Sequence, residues 1–336
     1  MTDRPGLNLE VNRRQMLLGA GALCAVRAPL VDAATNGLMT SADVHVDGYP
    51  TVEAVRWMGR KIEAETDGRI RIRVYHAGQL GRENDTIDLT RFGALDITRV
   101  NFASLNNAFP LTQSFALPYM FDSVAHMRRA ADGEPGQEVL RGFEKRDLVG
   151  LAIYDAGSRS FYNVRRPIAE PADLHGLKLR VPPSDIFIDL VRKLGANPTP
   201  LPYGEVYSAM QTHLIEGAEN NWRTFHTSRH FEVARFWSQS DHSFSPEAVL
   251  MSRRTYDALS AGDREIVRNT AKESVTFMRE LWDRMEIESR NLVIKAGVKV
   301  NDVDRAAFHA SARPVVESYL KRNSLEKLYE GIRALA

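Results

Sequence analysis

A run of about 35 residues without proline sets the strongest limit on what this chain can become. From Ser260-x-x-Asp263 to about Ala296, Ile266, Val267, Ala271, Val275, Met278, Leu281, Trp282 and Met285 recur at helical spacing. Ser260 is a natural N-cap. At 1.5 Å per residue, about 34 residues make a rod of about 50 Å. Such a rod exceeds the width of one small domain, so the pattern predicts a coiled coil or a strut that spans domains. A chain of 336 residues leaves room for one to three domains. It contains no long Gly/Ser tether and no internal repeat, so the domains are expected to be joined by more than one crossing of the chain.

The rest of the pattern alternates strand and helix signals. Pro50 opens a helix with Val52, Val55, Met58 and Ile62 on one face, and Asp67-Gly68 ends it. Arg69 to Tyr75 alternates strictly, Ile70, Ile72 and Val74 against three arginines, as a half-buried strand does. Asn84 to Gly93 reads as a helix and Ala94 to Val100 as a strand. Pro110 to Asp122 reads as irregular, and Leu148 to Tyr154 as an apolar strand. A second unit starts near Arg159, with a strand at Leu177–Val181 and a helix after Ser184 that Gly195 stops. A helix at Tyr203–Thr212 and a short strand at Ile215–Ala218 follow. This order predicts a layered α/β architecture with a largely parallel sheet.

The first 34 residues read as an address rather than as fold. Arg13-Arg14 precedes a weakly apolar run through Val26, and Ala33-Ala34 offers a small-residue cleavage site. That is the layout of a twin-arginine export signal. Its removal leaves 40 basic and 40 acidic residues and takes away Cys24, the only cysteine, a condition that suits an oxidising periplasm. Near-neutral charge argues against broad attraction to nucleic acid or membrane surface.

No catalytic or metal motif reaches useful strength: G-x-S-x-G, H-E-x-x-H and the phosphate loop are absent from the sequence. His226 and His230 are four residues apart, a weak metal pattern against the reading of two surface or packing histidines. The stronger signal is a set of arginines and amides near strand ends, where open α/β sheets bind ligands. Arg180 stands inside the strand Lys178-Leu179-Arg180-Val181, and an arginine there needs an anion. That anion is either an internal carboxylate or an organic acid. Arg99 carries the same ambiguity on its strand, whereas Arg159 reads as a solvated loop arginine. Asn220-Asn221-Trp222 offers donors, acceptors and a flat apolar face, which suits polyhydroxylated ligands. The alternative is a turn whose tryptophan packs between domains. His45 lies where it could meet a hydroxyl.

From about Leu38 to Phe308 the chain resembles the solute-binding proteins of TRAP transporters. The resemblance rests on Gly78-Gln79-Leu80-Gly81, Gly93-Ala94-Leu95-Asp96, Asp173-Leu174-His175-Gly176-Leu177-Lys178-Leu179-Arg180, Leu194-Gly195-Ala196-Asn197-Pro198-Thr199-Pro200 and Gly217-Ala218-Glu219-Asn220, in that order. It implies an α/β, two-domain periplasmic-binding-protein fold, a flytrap with a long domain-bridging helix. Domain I would hold residues 37–156 and about 245–285, and domain II residues 157–244 and about 286–336. It implies a periplasmic receptor, not an enzyme, that needs no cofactor; no metal site is read from the sequence, and a divalent metal that helps hold the ligand, as in some relatives, stays an alternative. The receptor would be a monomer that delivers a small carboxylate to the TRAP permease membrane subunits. Arg180 matches the arginine that pairs with the ligand carboxylate, and Arg159 a second one beside it. Asn220, His45, Glu83, Asn101 and Tyr203 match other ligand-contacting positions.

Ser41-Ala42-Asp43-Val44-His45 and Gly48-Tyr49-Pro50-Thr51-Val52 resemble a subgroup that takes up hexuronates such as galacturonate and glucuronate, and Arg99 and Asn221 fit it too. Val46, Asn84 and Arg223 depart from that subgroup's pattern. A shorter aldonate would use the same carboxylate clamp. A sensor feeding a membrane kinase and an enzyme acting on sugar acids are the rival functions.

Overall fold

The computed structural model describes residues 37–336; the predicted export signal and Cys24 lie outside the described residues. The chain opens with β1 (Leu38–Ala42), α1 (Pro50–Glu65), β2 (Arg71–Tyr75), α2 (Glu83–Arg91) and β3 (Ile97–Asn101). Short helices α3 (Phe102–Leu105) and α4 (Gln113–Ala116) occupy the stretch around Pro110, followed by α5 (Val124–Asp132), α6 (Glu134–Gly142) and β4 (Leu148–Tyr154). Next come β5 (Ser158–Asn163), β6 (Lys178–Val181), α7 (Asp185–Lys193), β7 (Asn197–Pro200), α8 (Val206–Gln211), β8 (Gly217–Asn220), α9 (Trp222–Thr227) and β9 (Phe236–Phe244). The chain closes with β10 (Glu247–Ser252), α10 (Arg253–Ala258), α11 (Ala261–Lys295), β11 (Lys299–Asp302), α12 (Arg305–Asn323) and α13 (Glu326–Arg333).

Two sheets result, ordered β2-β1-β3-β10-β4 and β11-β9-β5-β8-β6-β7. β1 runs parallel to β2 and β3, and β6 parallel to β7 and β8. The sheets are nevertheless mixed, not largely parallel. β10 pairs antiparallel with β3 and β4, and β5 antiparallel with β8 and β9. The reason is the double crossing: the chain passes between sheets after β4 and returns after β9, so each crossing strand enters its new sheet from the opposite end.

The long helix is real and is the strut. α11 spans 35 residues, and the Ser260 hydroxyl accepts from the Asp263 amide at its start. Its first part packs on α1 and β4, burying Val267, Ala271, Met278 and Trp282 with Val52, Val55, Met58 and Ile62. Its last part packs on α9, where Val293 joins the core of Trp222 and Trp237. One helix therefore belongs to both lobes. At the first crossing Gly157 has φ +66°, and a Cβ there would lie 2.7 Å from the Glu286 carboxylate of α11. Only glycine fits that approach. α12 packs on α7 and β9, and α13 packs on both α6 and α12.

Trp282 is buried and meets Tyr49 edge-on at 6.0 Å. Trp282→Ala is expected to cost about 3–5 kcal/mol in denaturant unfolding; a loss well under that would mean the strut is not anchored there.

Candidate functional site

The lobes face each other across a cleft built at the ends of strands. The first lobe contributes His45 from beyond β1, Glu83 from the start of α2, Asn101 from the end of β3 and Glu247 from the start of β10. The second contributes Arg159 on β5, Arg180 on β6, Asn220 on β8, Asn221 at the N-cap of α9, and Tyr203. These residues line an inner chamber of about 30 Å³. It shares Glu83, Ser104, Arg180 and Tyr203 with an outer chamber of about 500 Å³. An ion pair between Arg82 of the first lobe and Glu205 of the second (2.6 Å) stands near its mouth. Eight of the nine residues named from sequence are thus brought together. Arg99 is not among the residues lining either chamber.

The three arginines differ in what neutralises them. Arg99 is 1% exposed. Its Nε donates to Asp43 (2.8 Å), its Nη2 also donates to Asp43, and Nη1 lies 3.2 Å from Glu83 and 2.9 Å from Glu247. Burial works against its charge, but Asp43 and Glu247 outweigh it and raise the pKa. It therefore organises carboxylates and lines neither chamber. Arg159 is not the solvated loop residue its flanking sequence predicts: it is 3% exposed within β5. Its Nε and Nη2 donate to the two Glu219 oxygens (2.5 and 2.8 Å), and Nη1 donates to Asn220 Oδ1 (3.2 Å).

Arg180 is equally buried, at 3%, and has no such partner. Its Nε donates to the Leu201 carbonyl (2.9 Å), and no described carboxylate is in ion-pair contact with it. Burial accordingly pushes its pKa down. Arg223 also lacks a carboxylate, but it lies over the Tyr49 ring, donates to Ser289 and lines neither chamber.

The remaining groups are set in place by local bonds. Asn101 caps α3 through the Ala103 amide and donates to the Ser245 carbonyl. Asn221 caps α9 and donates to the Ala156 carbonyl. Asn220 Oδ1 accepts from Arg159 and the Asn221 amide, so its NH2 is left to donate. Glu83 accepts from the Asn101 amide (2.9 Å) and the Ser104 hydroxyl (2.6 Å). His45 stacks on Tyr49 at 3.7 Å and lies 3.3 Å from the Tyr203 hydroxyl. Burial and the Arg99 charge hold its pKa at about 3, so its ring is neutral at ordinary pH.

One sequence reading changes, and the histidine pair proves to be the packing kind. Trp222 does not offer its face to the cleft; it stacks on Trp237 at 3.7 Å in the core. His226 and His230 do not share a helix, since α9 ends at Thr227, and His230 bonds the Tyr162 hydroxyl (2.8 Å). No metal-holding cluster occurs among the described residues. Glu247 was missed. Its signal was a lone charge at the head of an apolar strand, the same kind that marked Arg180.

Two α/β lobes crossed twice by the chain, spanned by one helix and closing on buried guanidinium and amide donors, define a bivalve ligand-binding protein. The chain belongs to the bacterial extracellular solute-binding proteins, family 7 (DctP), whose family model matches residues 41–323. Its activity is therefore that of a solute receptor, not an enzyme. A TRAP periplasmic solute-binding protein from a Bradyrhizobium species, solved with α/β-D-galacturonate, is 45% identical with TM-score 0.86, over 88% of this chain and 99% of that one. One from Xanthobacter autotrophicus with β-D-galacturonate is 44% identical at TM-score 0.86, with the same coverage. One from Roseobacter denitrificans with β-D-glucuronate is 39% identical at TM-score 0.86, again over 88% and 99%.

The Arg159–Glu219 pair ties the cleft to acid stability. Burial opposes ionisation of Glu219, yet Arg159 and the neighbouring His242 ring, 3.4 Å from Oε2, outweigh it and hold its pKa at about 2. A depressed folded value means the pair stabilises above about pH 4.5 and loses that contribution as pH falls towards 2. Glu219→Gln is expected to cost about 3–5 kcal/mol at pH 7 by stranding Arg159. The gap from wild type should narrow at pH 3, read by urea unfolding at both pH values; an unchanged gap would contradict this.

Proposed function

We propose that this chain is the periplasmic receptor of a TRAP transporter for a hexuronate, D-galacturonate first and D-glucuronate next. The observation that carries the reading is Arg180: a buried guanidinium at the cleft with no carboxylate of its own. An organic acid supplies the missing anion in a bidentate geometry. Arg159, already held by Glu219, and the free NH2 of Asn220 add donors on the same side. From the other lobe, neutral His45, Glu83 and Asn101 face the hydroxyl-bearing part of the sugar. The galacturonate and glucuronate held by the three similar structures support this substrate class.

The lobes are proposed to divide as 37–156 with about 245–285, and 157–244 with the segment from about 286 through α12. They close over the acid about the two crossings and α11, as hinged binding proteins do. The loaded form goes to the permease as a monomer, since one chain supplies every wall of the cleft. A twin-arginine signal over residues 1–34 directs the export.

The test is a thermal-shift panel of hexuronates, aldonates and neutral hexoses on the exported form. A ligand at about 100 times its Kd stabilises by about 2.7 kcal/mol, and a hexuronate should give the largest shift. Arg180→Ala should lose about 2–5 kcal/mol of binding and with it the shift. A panel without any shift, or an unaltered shift in Arg180→Ala, would overturn the reading.

A further inference from the structure

Three carboxylates converge on one guanidinium beneath the inner chamber, and they are not equally satisfied. Asp43 takes two bonds from Arg99 and further bonds from the His45 amide (2.8 Å) and the Thr51 hydroxyl (2.9 Å). Glu83 accepts from the Asn101 amide, the Ser104 hydroxyl and Arg99. Both thus have their oxygens matched by fixed donors. Glu247 is different. It is 2% exposed, and its Oε2 accepts no hydrogen bond although Arg99 Nη1 is 2.9 Å away. Its Oε1 lies 3.4 Å from the Nε2 of His45, a long contact, and the Asn101 side chain is its other polar neighbour. One guanidinium is shared by three carboxylates, of which Asp43 and Glu247 are buried and Glu83 is partly exposed, and the least satisfied of them bears the cost.

We infer that Glu247 is kept as a neutral carboxylic acid whose hydroxyl donates a hydrogen bond in the inner chamber, so that it reads an acceptor oxygen on the ligand. It is a specificity-determining residue, and the inference rests on the receptor reading above. The groups that face it fit this state. His45 is neutral, so it brings no cation to hold Glu247 ionised, and its Nε2 at 3.4 Å is a long contact that leaves the hydroxyl to the ligand. Arg99 is already shared by Asp43 and Glu83, and Arg159 is taken by Glu219. Burial pushes the Glu247 carboxyl upward against the pull of Arg99, Asn101 and Arg159. A neutral acid also removes one of the negative charges that would otherwise repel an incoming carboxylate.

The experiment compares Glu247→Gln and Glu247→Leu with wild type by calorimetric titration of D-galacturonate at pH 7. Gln keeps an uncharged donor and should bind within a few-fold of wild type. Leu leaves the ligand oxygen unmatched and should lose about 5- to 150-fold. Infrared spectra in D2O provide a readout that needs neither ligand nor the Leu variant. Burial also lifts Glu286 to about 7, so the readout is the difference spectrum at pH 7: the protonated-carboxyl stretch should lose intensity in Glu247→Gln relative to wild type. Identical bands in the two proteins, or Gln binding as weakly as Leu, would overturn the inference. If wild type binds no galacturonate, the receptor reading fails on its own, and the infrared comparison still decides the protonation of Glu247.

Discussion

A guanidinium withdrawn from water must meet an anion, and the cleft is organised around that requirement. Arg99 and Arg159 meet it internally, through Asp43 and Glu219. Each pair ties strand to strand or strand to loop within its own lobe, so the walls of the cleft are fixed before any ligand arrives. Arg180 is left outside the internal balance. A binding protein needs one unbalanced charge at its site, because a fully neutralised site would have nothing to gain from an acid.

The scaffold serves that arrangement. Two crossings and a shared helix let the lobes move without letting them drift. The sheet ends put short polar side chains at the cleft, and caps such as Asn101 and Asn221 lock them by bonds to backbone groups. Tyr49 links the systems: it stacks on His45 at the cleft and meets Trp282 on α11. The contact path from the strut to the ligand wall is therefore continuous, and a change in lobe angle would be felt at His45.

Much of this was legible in the sequence. The strut announced itself through its proline-free periodicity, and Arg180 through the cost of a charge in an apolar strand. Resemblance then gathered His45, Glu83, Asn101, Tyr203 and Asn220, which do converge. What stayed hidden depends on partners far apart in the chain. The role of Arg99 is decided by Asp43, 56 positions away, and by Glu247, whose strand comes back from the other lobe. Arg159 looked like a loop residue because Gly157-Ser158 precedes it; its burial follows from pairing with β8 and β9. Trp222 looked like a sugar platform, and only the fold shows Trp237 already stacked on it. The antiparallel strands escaped for the same reason: a crossing that reverses direction leaves no periodicity of its own.

The central claim is that the ligand's carboxylate completes the charge balance of Arg180. A crystal structure of the protein with D-galacturonate tests it most directly. The account expects the ligand carboxylate to accept two hydrogen bonds from the Arg180 guanidinium, with the Arg159–Glu219 and Arg99–Asp43 pairs intact. A carboxylate seated away from Arg180, or one that displaces Glu219 from Arg159 while Arg180 stays unpaired, would contradict it.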